Sequence, residues 1–286
     1  MHIKKLYLFC IVSFLSIYLE SSTIERVTYS AWNKADVELL YVLPSEINND
    51  TKVLFIIHGG SRNADKYLSL WLDDAKNKNV ILVAPHFKKE EHPYYQTLGM
   101  STFSGKSIKN EESWLKDSIA RFYSFFKNKH NLSSDNYLIY GFSGGSQFVH
   151  RYLMYGSDRA IEKAAIGSAG WYTFIQNKPY PYGIKNKPLE PGRVEWLMSS
   201  EVLFLLGDKD NDSNHSSLNN SKGAILQGSN RFDRGNNYFN HLIKIGNEFQ
   251  IPLRWRYSVI KDVDHDTKKM TKPAIKFLLK DLEYKN

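Results

Sequence analysis

The chain has 286 residues, 42% of them hydrophobic and 24% charged, which is ordinary for a globular protein with one large core. A formal net charge of +8 favours anionic partners, but the lysines and arginines are scattered and form no block of five or more. We therefore expect a solvated basic surface and no nucleic-acid partner.

The N-terminus has the parts of a secretory signal. Lys4 and Lys5 form a short basic region, the apolar residues 6–19 follow, and small residues suited to cleavage come next. The apolar run is too short to span a bilayer comfortably. We expect residues 1–21 to be a signal peptide and the mature protein to be secreted or periplasmic, without stable membrane insertion. An uncleaved membrane anchor is the alternative.

The only cysteine, Cys10, lies inside this apolar run. Cleavage after residue 21 leaves a mature chain without cysteine, which excludes disulfides, thiolate metal sites and a cysteine nucleophile there. No zinc-ligand spacing, phosphate-binding loop or dinucleotide fingerprint occurs either. We therefore expect neither a metal nor a cofactor.

The rest of the chain alternates apolar runs with segments of helical period. This pattern is typical of an α/β protein, with a mostly parallel sheet of about eight strands and helices on both faces. No linker divides it, so residues 22–286 are expected to form a single domain. The expected strands are residues 24–31, 36–43, 52–57, 80–84, 137–140, 164–169, 202–206 and 253–259.

Two stretches interrupt this rhythm. Residues 86–110 are predicted to form a long loop, a feature that is often functional in a compact domain. Residues 170–200 hold four prolines and several aromatic side chains, among them Trp171 and Tyr182. We expect this segment to leave the sheet and to line the substrate site.

The motif Gly141-x-Ser143-x-Gly145 follows one predicted strand and precedes a predicted helix. Such a sharp turn exposes the serine above the sheet, and its glycines let neighbouring backbone pack closely. Ser143 is therefore the candidate nucleophile. The alternative is an ordinary glycine-rich turn in which Ser143 caps the helix.

The segment His58-Gly59-Gly60-Ser61 ends an earlier predicted strand. Acyl transfer needs backbone N–H donors aimed at the oxyanion. We expect one donor from Gly144, directly after the candidate nucleophile, and another from Gly60 or Ser61. His58 is expected to brace this loop.

A general base and its orienting acid complete the candidate site. His265 is favoured among nine histidines because it lies between the last strand and the last helix, after the serine and the acid in the chain. Asp210 is the favoured acid because it follows the penultimate strand. Asp208 is the alternative, although we expect its side chain to bond the loop backbone.

In this order the segments HGG, GFSGG, GDKD and the histidine loop resemble the α/β-hydrolase superfamily, from about residue 36 onward. The piece HGGSRNADKY is similar to the secreted poly(3-hydroxybutyrate) depolymerase and feruloyl esterase-like branch. SGGSQFVHRY, GWYTF, YPYG and QGSNRFDRG look closer to exported bacterial hydrolases of undefined substrate. The resemblance implies the α/β-hydrolase fold and the reaction class, and leaves the substrate open.

We expect a serine hydrolase that cleaves a small-molecule or polymeric carboxylic ester through an acyl-enzyme. The aromatic segments around residues 94–95 and 171–182 predict an apolar acyl or aryl group in the cleft. A serine peptidase or amidase on the same fold is one alternative, and a non-catalytic binding protein is another. The oligomeric state stays open.

Overall fold

The computed structural model describes residues 23–284, and these form an eight-stranded sheet flanked by helices. The strands are β1 (Glu25–Tyr29), β2 (Val37–Val42), β3 (Lys52–Ile57), β4 (Val80–His86), β5 (Tyr137–Phe142), β6 (Ile161–Gly167), β7 (Glu201–Gly207) and β8 (Arg256–Ile260). Their order in the sheet is β1-β2-β4-β3-β5-β6-β7-β8. β2 pairs antiparallel with β1 and β4, and all other neighbours are parallel. The mostly parallel sheet expected from the sequence is confirmed.

Helices cover both faces of this sheet. They are α1 (Ala64–Ser69), α2 (Leu72–Ala75), α3 (Ser118–His130), α4 (Gly144–Tyr155), α5 (Arg193–Ser199), α6 (Lys222–Ile225), α7 (Arg231–Phe249) and α8 (Thr267–Leu278). Successive side chains of β3 point to opposite faces, and those of residues 53–57 are all buried. Val53 and Phe55 pack in the core beneath α3, α4 and α7, while Leu54 and Ile56 pack in the core beneath α1 and α8. Each such side chain contributes roughly 1.5–3 kcal/mol on burial.

The parallel pairing decides where the functional loops meet. β3, β5, β7 and β8 run in the same direction, so their carboxyl ends lie at one edge of the sheet. The loops after these strands carry Gly60, Ser143, Asp210 and His265, respectively. Ligands of open α/β sheets bind at this edge.

β4 is longer than the sequence indicates. The sequence predicts a strand over residues 80–84, but β4 continues to His86, and Pro85 lies opposite Leu39 of β2. The pairing of β4 with β3 ends at Val83, so one side of the strand is free from there on. A proline is tolerated where it removes no ladder hydrogen bond.

The C-terminal elements also differ from expectation. β8 begins only at Arg256, and Tyr257 and Val259 are 37% and 42% exposed, because β8 is an edge strand paired with β7 alone. α7 begins at Arg231, inside a polar segment of the sequence that extends to residue 236. The Asn230 side chain caps it by accepting a hydrogen bond from the backbone N–H of Asp233, and this cap outweighs the polar composition.

Residues 170–200 leave the sheet between β6 and β7, as expected. They end in the short helix α5, which the proline-rich sequence did not predict. Among residues 23–284, no helix is long and apolar enough to cross a membrane. The predicted signal peptide lies outside the described residues.

Candidate active site

Ser143 occupies a strained turn between β5 and α4. Its φ of +56° and ψ of −117° fall where non-glycine residues are rarely found. The backbone holds it there: its N–H donates to the Gly167 carbonyl at 2.9 Å, and its own carbonyl accepts from the N–H of Gln147 at 3.1 Å. The Ser143 side chain makes no cap hydrogen bond to the helix. Its hydroxyl is therefore free for another partner.

The two motif glycines allow this turn to pack. A Cβ on Gly145 would overlap the carbonyl oxygen of Ile57 and come within 2.9 Å of that of His58. A Cβ on Gly141 would in turn overlap the Gly145 carbonyl. Both positions thus need glycine because neighbouring backbone fills the space of a side chain.

His265 joins the serine to a carboxylate. Its Nε2 lies 2.9 Å from Ser143 Oγ, and its Nδ1 lies 2.7 Å from Asp210 Oδ2. Burial lowers the pKa of His265 below its usual value; Asp210 opposes this shift, and the positive charge of Arg231 adds to it. The imidazole is therefore neutral at neutral pH and able to accept a proton.

Asp210, rather than Asp208, is the carboxylate that meets His265. Burial raises the pKa of Asp210, but the hydrogen bond and charge of His265, together with the charge of Arg231, outweigh burial and leave the pKa below its usual value. Asp208 binds elsewhere: its backbone N–H donates to the Ile260 carbonyl at 3.2 Å, and its buried Oδ1 has no hydrogen-bond partner in the described chain. The expected bond from its carboxylate to the loop backbone is therefore not found for this oxygen.

The loop after β3 lies directly beside the serine. A Cβ built on Gly144 would be 2.8 Å from the backbone nitrogen of Gly60, so the two candidate oxyanion donors are neighbours. Ser61, the other candidate, lines the same cavity and donates from its hydroxyl to Asn63 at 2.7 Å. His58 is buried, which lowers its pKa to about 3, and its Nε2 accepts from the N–H of Phe87. It braces the loop, as expected.

A cavity of about 250 Å³ opens at Ser143. Polar and apolar surface contribute about equally to its lining, which consists of Gly60, Ser61, Tyr67, Gln96, Phe142, Ser143, Gln147, Gly170, Ser217, Asn219, Arg231, His265 and Thr267. Of residues 170–200 only Gly170 lines it, and Trp171 is buried against the Arg151 guanidinium, 4.1 Å from the ring centre. The aromatic segments around residues 94–95 and 171–182 therefore do not line this cavity, and its aromatic lining residues are Tyr67 and Phe142.

Among known proteins, only solved structures are similar to this chain. No family model and no curated protein matches the chain. Among solved structures, poly(aspartic acid) hydrolase-1 from Sphingomonas sp. KT-1 is 28% identical, with a TM-score of 0.82 over 90% of this chain and 98% of that one. The poly(3-hydroxybutyrate) depolymerase LpqC from Bordetella parapertussis is 21% identical, with a TM-score of 0.82 over 93% and 92%. A ferulic acid esterase has a TM-score of 0.52 at 15% identity, over 90% and 96%.

The chain has the α/β-hydrolase fold. The similarity to the Sphingomonas hydrolase also supports a hydrolase activity. In this fold the serine turn, the loop after β3 and the histidine loop occupy the positions that the sequence motifs indicated.

The sequence analysis did not predict the role of Arg231 in this site. Arg231, the first residue of α7, is 2% exposed, and its Nη1 lies 3.3 Å from Asp210 Oδ1, while its Nη2 donates to Ser217 Oγ at 2.8 Å. A cation in the first turn of a helix opposes the helix dipole and needs an anion nearby. An arginine in the first turn of a predicted helix therefore indicates a nearby anion. Only the fold identifies that anion as Asp210.

Proposed function

We propose that this chain is a serine hydrolase that cleaves a carboxylic ester through an acyl-enzyme. The observation that carries the proposal is the hydrogen-bonded line from Ser143 Oγ through His265 to Asp210. It supplies a nucleophile, a neutral base and an orienting acid at the edge of the sheet where ligands bind.

The proposed reaction has two halves. Ser143 Oγ attacks the ester carbonyl carbon while His265 Nε2 takes its proton, and the tetrahedral oxyanion accepts N–H bonds from Gly144 and Gly60. Collapse breaks the bond to the leaving alcohol, which takes the proton from His265. Water then attacks the acyl-serine in the same way and releases the carboxylic acid. Asp210 keeps the proton of neutral His265 on Nδ1, so that Nε2 can act as the base.

Polar side chains in the cavity lining can bind a polar acyl group. Gln147, Ser217 and Asn219 line the cavity and offer hydrogen bonds to a ligand. Leaving such groups unpaired on binding an apolar substrate is costly, about 1–3 kcal/mol each. We therefore propose a substrate with a carboxylate or hydroxyl near the scissile bond.

Amide hydrolysis is a second candidate, and one observation favours it. The Sphingomonas neighbour is named for poly(aspartic acid), a polyamide that carries carboxylates. Ester and amide cleavage share the acyl-enzyme and differ in the protonation of the leaving group. A pair of substrates with one acyl group, one an ester and the other an amide, separates the two: turnover of the ester alone supports the first proposal.

Rapid mixing with a chromogenic ester tests the acyl-enzyme itself. We expect a burst of released phenol equal to the enzyme concentration, followed by slower steady turnover. Labelling by a fluorophosphonate probe is the companion experiment. A chain that neither turns over any ester or amide nor reacts with the probe is a binding protein, and the proposal fails.

Export is also proposed, on the pattern of residues 1–21. N-terminal sequencing of protein recovered outside the cytoplasm is expected to begin near residues 20–24. A membrane-bound protein that begins at Met1 contradicts cleavage and favours the anchor.

A further inference from the structure

A side-chain amide lies beside both backbone groups that are proposed to hold the oxyanion. A Cβ built on Gly144 would overlap Nε2 of Gln96, and the same Cβ is 2.8 Å from the backbone nitrogen of Gly60. A Cβ built on Gly60 would be 3.6 Å from Gln96 Nε2. Gln96 also lines the cavity that opens at Ser143. Three nitrogen atoms thus converge on one small volume next to the serine.

The neighbouring tyrosine fixes which end of this amide faces the glycines. The Tyr95 hydroxyl donates its hydrogen to the His58 carbonyl at 2.8 Å, so its oxygen is left to accept. Burial raises the pKa of Tyr95, and a hydrogen bond from the Gln96 side chain to this hydroxyl opposes the rise slightly, as a donor does. The Tyr95 hydroxyl also lies 2.8 Å from the position of a Cβ on Gly144. The amide nitrogen of Gln96 therefore faces Tyr95 and Gly144. One of its two N–H groups donates to the Tyr95 hydroxyl, which leaves the second for another acceptor.

The backbone of Gln96 is rigidly held. It lies in the short helical turn Tyr95–Thr97, and its carbonyl accepts from Nη1 of Arg151 at 2.8 Å. Arg151 is fully buried and also donates to the Gln147 carbonyl, one turn beyond Ser143, at 3.0 Å. Arg151 thus ties the Gln96 turn to the helix that follows the nucleophile. A donor placed in advance in this way needs little reorganisation during the reaction.

We propose that Gln96 is a catalytic residue whose second Nε2 hydrogen is a third donor to the oxyanion. This inference rests on the proposed serine hydrolase mechanism. Its bond strengthens when the carbonyl oxygen becomes negatively charged, so it acts on the transition state more than on bound substrate. The same placement explains why Gly144 carries no side chain, since a Cβ there would displace the amide.

The test replaces Gln96 with methionine, which keeps the length of the side chain and removes the donor. We expect kcat to fall about 100-fold with KM nearly unchanged, the lower end of the effect of losing one oxyanion donor. The affinity for an aryl boronic acid, which forms a tetrahedral adduct on the serine, is expected to fall by a similar factor. Gln147→Met, which changes another polar side chain of the same cavity, is expected to act chiefly on KM.

Gln96→Glu is the second variant, because it preserves shape and places a negative charge beside the oxyanion. We expect a larger loss of kcat than for Gln96→Met, with an unchanged melting temperature. Retention of kcat within about threefold by a folded Gln96→Met, or a fall in kcat without a fall in boronic acid affinity, overturns the inference. An unmodified protein that turns over no ester or amide and does not react with the fluorophosphonate probe is instead a failure of the proposed function.

Discussion

Nδ1 of His265 lies 2.7 Å from Oδ2 of Asp210. The turn after β7 sets this contact: the Asp210 N–H donates to the Gly207 carbonyl at 3.1 Å, and the Lys209 N–H donates to the carbonyl of Val263 in the histidine loop at 2.9 Å. These bonds fix the aspartate loop to the histidine loop. The choice between the two candidate acids is thus made by backbone hydrogen bonds and not by the side chains themselves.

Replacing each aspartate with asparagine tests this choice. Asp210→Asn is expected to lower kcat by roughly 10⁴-fold, because an amide stabilises the wrong tautomer of His265. Asp208→Asn is expected to leave kcat within about threefold and the melting temperature unchanged or higher, because it removes charge from a carboxylate with a buried, unpaired oxygen. A greater kinetic loss for Asp208→Asn contradicts the assignment.

The pH dependence of kcat/KM reports the state of His265 in the free enzyme. Protonated His265 cannot accept the Ser143 proton, so activity is lost as pH falls through its pKa. Burial lowers this pKa, and we expect the midpoint below the ordinary value of about 6.5. Because Asp210 raises the pKa, the residual activity of Asp210→Asn is expected to have a lower midpoint still. A midpoint above the ordinary value, measured with a non-ionising ester, contradicts a buried base.

The serine turn predicts a contrast between two glycines. Gly145→Ala is expected to destabilise the fold by about 3 kcal/mol or more, because its Cβ meets the backbone carbonyls of Ile57 and His58. Gly60→Ala is the control, since the nearest atom to its Cβ is 3.6 Å away and belongs to a side chain. Equal melting temperatures for the two variants contradict the packing described for this turn.

The polar side chains that line the cavity at Ser143 predict a preference for a charged acyl group. We expect a succinyl ester to have a kcat/KM about tenfold above that of the butyryl ester of the same alcohol, the size of one hydrogen bond to a charged group. The preference is expected to weaken in Asn219→Leu, which makes the lining less polar. A preference for the butyryl ester contradicts the proposed polar acyl group and supports the apolar group expected from the sequence.

Local sequence patterns predicted most of the fold and the triad candidates Ser143, Asp210 and His265, because each of these predictions depends on neighbours in the sequence. Ser143 follows from a strand, a glycine turn and a helix, and His265 follows from its place after the last strand. Arg231 and Gln96 could not be found in this way, since their roles come from contacts with Asp210 and Gly144 that only the fold creates. The position of Trp171 could not be decided from the sequence, because an aromatic residue suits a cleft and a core equally well.

The activity of Ser143→Ala tests the central claim most directly. Ser146→Ala is the matched control, because this buried serine lies one turn into the same helix and its Oγ has no partner in the described chain. With melting temperatures unchanged, we expect Ser143→Ala to lower kcat by roughly 10⁴- to 10⁶-fold and Ser146→Ala to retain near-normal activity. A folded Ser143→Ala that keeps even about a tenth of the original kcat would remove Ser143 from the mechanism.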